Sequence, residues 1–180
     1  MKRYLVGLAG LLIALPATAQ NRSGYQMPEQ YKDVQVRQLE AQRRLLIAMV
    51  DSMPERLYRD KATPAQRDFA QQVYHAAGAT YSLAGRFILE ASPPTQPDTA
   101  SILNSRQAMR DFLNHVYDWT SEQLRAQSAE ARHSNVSFFG NNMPRWQAWD
   151  ELHQHTIWTA GQIVANFRKH GMAPPGFSFF

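Results

Sequence analysis

The chain has 180 residues, 44% of them hydrophobic, which suffices for one domain with a real core and not for two comfortable ones. It contains no cysteine, and this excludes disulfides, thiol nucleophiles and cysteine-ligated zinc. The formal charge is +4 and its basic residues are scattered, with Arg43-Arg44 and Arg168-Lys169 the adjacent pairs beyond residue 3, so nothing resembles a footprint for nucleic acid.

The chain opens "MKRYLVGLAGLLIALPATAQ", running from Lys2-Arg3 through an apolar stretch to Ala17-Thr18-Ala19. That order reads as a secretory signal peptide over residues 1–19, followed by one folded domain over 20–180 in the periplasm or outside the cell. The apolar run from Tyr4 to Leu15 is shorter than the roughly 20 residues a membrane-spanning helix needs, and no later segment could span. Losing Lys2 and Arg3 leaves 17 of the 19 basic residues against 15 acidic ones, a nearly balanced mature chain.

Four long amphipathic helices follow. In the first, from Pro28 to Pro54, Val36, Leu39, Leu46, Val50 and Met53 recur at three, four and seven residues. The second is expected to start at Thr63-Pro64-Ala65-Gln66, a capping threonine, a first-turn proline and a reciprocal glutamine, with Phe69, Val73, Ala76, Thr80, Leu83 and Phe87 as its stripe. "ASPPTQPDTAS" is a proline-dense connection. The third helix is expected from about Ser101 to Ala126, with Ile102, Met109, Phe112, Val116 and Trp119 on one face. Residues 128–144 lose helical period and read as a long loop with room for a turn of helix. The fourth runs from Arg145 to His170 and stops at Gly171, with Pro174-Pro175 beyond. The fold class is therefore all-α, a four-helix bundle.

On a helical wheel, His153 of the fourth helix shares the core face with Trp149, Leu152, Thr156, Ala160, Ile163 and Phe167, where a bond to a neighbouring polar group is expected. His155 lies about 120° from the centre of that face, on the seam with solvent, flanked by Glu151 and Thr159. His75 holds the same seam position on the second helix. His115, His133 and His170 read as solvated surface residues. Gly161, mid-helix, is expected to mark a close approach to a neighbouring helix, since glycine there costs about 1 kcal/mol against alanine.

Three stretches, "MPERLY", "TPAQRDFAQQVYHAAGA" and "HTIWTAGQIVANFRKHGMAPPG", resemble the DinB-like (DinB/YfiT) four-helix bundles. Many of those proteins bind a divalent metal through one histidine on the second helix and two in a His-x-x-x-His-x-Gly-Gln run on the last. The resemblance implies His75 and His155 as metal ligands for zinc or nickel. Its third ligand position is occupied by Thr159, a poor ligand for either ion; Glu151, one turn before His155, reads either as a third ligand or as a solvated surface carboxylate. His153 is six residues from Thr159 and faces the core, so it is no substitute.

Two functions are compatible with this pattern. One is a metal-dependent hydrolase or transferase, since the family includes metal-dependent transferases and isomerases acting with low-molecular-weight thiols; export favours hydrolysis by metal-bound water over chemistry that needs a thiol. The other is a non-enzymatic bundle binding a small molecule or a protein in the cleft between the second and fourth helices, with Tyr74, Tyr81 and Trp158 near its rim and a vestigial metal site. Dimers through bundle faces are common in the family, so a homodimer fits either function.

Overall fold

The computed structural model describes residues 27–95 and 98–176; the expected leader at 1–19 and the end of the aromatic tail at 177–180 lie outside the described residues. The protein is mainly helical, with one small hairpin. Among the described residues no helix is long and apolar enough to cross a membrane.

Helix α1 spans Gln30–Ser52 and ends where Pro54 imposes an extended backbone. Helix α2 spans Phe69–Leu83 with Asp68 as its cap, five residues later than the expected cap at Thr63. The Thr63 segment is instead a turn, closed by the Gln66 amide donating to the Thr63 carbonyl at 3.1 Å. Asp68 is the true cap: its carboxylate accepts from the Gln71 backbone N–H at 2.7 Å while the Gln71 side chain accepts from the Asp68 N–H at 3.2 Å. Both sequence sites match the capping pattern. Asp68 wins because a bridge to Lys61 and an ion pair with Arg59 at 2.9 Å hold it in the extended conformation that a cap requires.

Past Leu83 the helix continues as a wider π-turn, Ala84–Leu89, which ends at Glu90 in the left-handed region. Gly85 is required here, because a Cβ would stand 2.6 Å from the Pro93 ring and 2.8 Å from the Ala91 carbonyl oxygen. The expected third helix is two helices, α3 at Thr99–Asn104 and α4 at Arg106–Ala126. Ser105 adopts an extended backbone between them, and its hydroxyl accepts from the Ala108 N–H at 3.3 Å to cap α4.

Residues 128–144 are ordered rather than loop-like. They form the short helix α5, Ala129–His133, and an antiparallel hairpin of β1, Asn135–Phe138, with β2, Asn141–Pro144. Phe139 and Gly140, both with positive φ, make its two-residue turn. The hairpin is closed at its base by the Arg145 N–H donating to the Ser134 carbonyl at 2.9 Å, and Arg132, fully buried, pairs with Glu29 at 3.3 Å. Helix α6, Arg145–Lys169, follows directly.

The long helices share one core: α1 packs on α4 and α6, and α2 on α6 and α4. Leu46, Val50, Phe69, Val73, Phe112, Val116, Leu152, Ile163 and Phe167 fill it. Buried polar groups within it find each other, with the hydroxyls of Thr80 and Thr156 2.9 Å apart and the Tyr117 hydroxyl donating to the Gln42 side chain at 3.3 Å. Burial pushes the Tyr117 hydroxyl's pKa well above the usual value, so it stays protonated. Gly161 contradicts its expected role. It is exposed, and a Cβ there would meet nothing within 4 Å.

Candidate functional site

Three side-chain ties fix α2 against α6 in antiparallel register. The Gln66 amide donates to the Gln162 carbonyl at 2.8 Å, the Gln72 amide to the Gln162 side chain at 2.7 Å, and Thr80 meets Thr156. Between these ties His75 and His155 face one another, ring centroids 5.2 Å apart and planes at 76°. Both are half-buried, because each lies one position off its helix's core stripe.

The pair opens into a cleft of about 960 Å³. Arg67, Gln71 and Tyr74 line one part of it; Leu83, Leu152, Phe138 and Phe139 line another, and α3 contributes Thr99 and Leu103. Tyr74 is held by stacking on Phe112, centroids 4.9 Å apart. Phe138 and Phe139 pack on Phe87, at 5.6 and 4.7 Å, which ties the hairpin tip to the π-turn that follows α2. Phe139 is nonetheless 62% exposed and has φ 49°, a backbone conformation unfavourable for a bulky side chain.

Burial is the main cause that lowers the proton affinity of both imidazoles, the nearby Arg67 guanidinium adds to it, and His155 contributes further at His75. Both rings are therefore neutral at neutral pH. The Nδ1 atom of His155 is buried without a hydrogen-bond partner among the described residues. A neutral, unsatisfied imidazole is ready to bind either a metal ion or a polar ligand atom.

Glu151 lines the same cleft, whereas Thr159 is 1% exposed and absent from its wall; its hydroxyl donates to the His155 carbonyl at 2.9 Å. Among the described residues no three His, Asp or Glu side chains gather as a cage for a metal ion. Two imidazoles without a third donor do not fit a closed structural set or the three-ligand set of a catalytic zinc.

The other histidines each make a local contact. His153 is half-buried and its Nδ1 accepts from the Gln42 amide at 2.5 Å, the neighbourly bond expected of it. His115 corrects the surface reading: it is half-buried, with Nε2 3.1 Å from the Tyr81 hydroxyl. His133 and His170 are half-buried as well: His133 bonds the Ala129 carbonyl at 2.7 Å while its Nε2 is buried without a partner among the described residues, and His170 lies 3.4 Å from Asp60. Tyr81 is buried in the core and Trp158 stands 75% exposed outside the cleft wall, so of the three expected rim aromatics only Tyr74 is in place. Sequence reasoning missed Phe138, Phe139 and Arg67. The run Phe138-Phe139-Gly140-Asn141 carried the hairpin-turn signal, but nothing local announces Arg67.

The fold and site together define a class: an all-α protein with a cleft of small-molecule size between two of its long helices. No family model matches the chain, and comparison with curated proteins finds no match either.

Proposed function

We propose that this chain is an exported four-helix bundle of the DinB-like type that binds a small organic molecule between α2 and α6, with His75 and His155 as the polar wall of the site. The observation that carries this reading is the cleft itself: about 960 Å³, walled mostly by apolar and aromatic side chains, with two neutral imidazoles facing in. Pockets of this size with a few convergent polar groups are the usual form of a small-molecule site. Ala79 lines the cleft, so Ala79→Trp fills it. In a thermal-shift screen of small organic molecules, compounds that raise the melting temperature of the natural protein are expected to lose that effect in Ala79→Trp, provided its circular dichroism is unchanged. Hits that survive the substitution, or no hits at all, sink the reading.

A second reading has its own support in the partnerless Nδ1 of His155 beside His75: a weak zinc or nickel site. His75 and His155 would be its two protein donors, one fewer than the three of a catalytic zinc, so such an ion would be held weakly. Tag-free protein is expected to bind zinc weakly by isothermal titration, His75→Ala or His155→Ala to abolish that binding, and Thr159→His, at a buried position outside the cleft wall, to leave it unchanged. Tight binding by the natural protein would place Glu151 in the ligand set; a gain from Thr159→His would show that position 159 reaches the pair after all.

A further inference from the structure

The cleft is long and electrostatically asymmetric. From Gln71 to Leu83 it follows α2 for twelve residue steps, about 18 Å at 1.5 Å per step. Arg67 stands at its start, exposed, and makes no hydrogen bond or ion pair among the described residues. Its position is set by neighbours on both sides, because Gln66 is tied to α6 and Asp68 caps α2. Glu151 stands towards the other end, since Gln72 meets Gln162 and Thr80 meets Thr156, so lower numbers on α6 lie opposite higher numbers on α2. Between the two charges the wall is Tyr74, Gly78, Ala79, Leu83 and Leu152, with Phe139 of the hairpin tip beside it.

We propose that the cleft takes a long amphipathic carboxylate, its head group held by Arg67 and its apolar body laid along α2 beside Phe139. This rests on the small-molecule reading above and names the ligand class. A guanidinium is a planar fork that binds a carboxylate through two parallel N–H bonds, and among the described residues no carboxylate pairs with Arg67. His75 and His155, being neutral, offer a further hydrogen bond near the head group without adding charge. Glu151 repels an anionic head at the far end, and so fixes the direction in which the ligand lies. The exposed Phe139 ring gains apolar cover when the body of the ligand packs against it, which offsets part of the strain of its backbone.

Isothermal titration with dodecanoate, dodecanol and dodecyltrimethylammonium, each below its aggregation concentration, tests this on the natural protein, Arg67→Gln and Ala79→Trp. The natural protein is expected to bind dodecanoate most tightly and the cation most weakly. Arg67→Gln, at an exposed position, is expected to keep its melting temperature, to weaken dodecanoate at least tenfold and to leave dodecanol unchanged. Ala79→Trp is expected to abolish binding of all three. Equal dodecanoate affinity in Arg67→Gln, or a cation bound as tightly as the anion, overturns the carboxylate assignment while leaving a cleft that binds apolar molecules. Binding that persists in Ala79→Trp removes the cleft reading as well, and no binding of any probe overturns the proposal outright.

Discussion

The proton affinities of His75, His153 and His155 are all lowered, in each case chiefly by burial. Such an imidazole takes up its proton more readily in the unfolded chain than in the folded one, so acid favours unfolding. The stability these groups contribute is complete above the ordinary value of 6.5 and is lost as pH falls below it. The lowered Glu29 carboxyl acts in the same direction but below its ordinary value of 4.5, outside that window. Urea midpoints are therefore expected to drop between pH 7.5 and 5.5, and the drop to shrink in a His75→Gln, His155→Gln double variant. An undiminished drop in that variant would locate the acid sensitivity elsewhere.

At the level of single elements, caps and glycines give predictions of opposite sign. Asp68→Ala removes both the cap of α2 and the partner of Arg59, and is expected to cost about 1–2 kcal/mol, whereas Thr63→Ala, in a turn, is expected to fall within about 0.5 kcal/mol of neutral. Equal losses from the two would mean that the helix begins earlier than Phe69. Gly161→Ala is expected to stabilise by up to about 1 kcal/mol, since the site is exposed, helical and open. Gly85→Ala is expected to destabilise by about 1–3 kcal/mol, because the methyl group would collide with the Ala91 carbonyl as well as the Pro93 ring. Thermal or urea unfolding of each single variant reads these differences directly, and a stabilising Gly85→Ala would contradict the tight packing after the π-turn.

For the molecule as a whole, the core stands without covalent staples, since the chain has no cysteine and its buried aromatic and aliphatic residues form one cluster across all four long helices. Its melting temperature is expected to be the same with and without reductant. Export is the other whole-chain expectation. Mass spectrometry of protein recovered from the periplasm or medium is expected to show a chain starting at Gln20, and a mass that retains Met1 to Ala19 would overturn the cleavage reading.

The long helices were legible from residue order because their apolar residues repeat at helical period, and proline and glycine mark their limits: Leu39, Leu46 and Val50, or Leu152, Ile163 and Phe167, are the buried residues that periodicity alone selects. The seam positions of His75 and His155 were legible for the same reason, as a wheel angle depends only on sequence spacing. Where two signals of equal local quality competed, sequence could not choose. Thr63-x-x-Gln66 and Asp68-x-x-Gln71 both spell a cap, and the choice falls to Arg59 and Lys61, which reach Asp68 only in the folded chain. Whether the two histidines meet, and whether Thr159 faces the site, depends on how α2 docks against α6, a register set by Gln66, Gln72, Gln162, Thr80 and Thr156 from distant parts of the chain. The place of Arg67 and Phe139 in one cleft with those histidines is decided the same way. A cleft is the space left between packed elements, and tertiary contacts alone determine its walls.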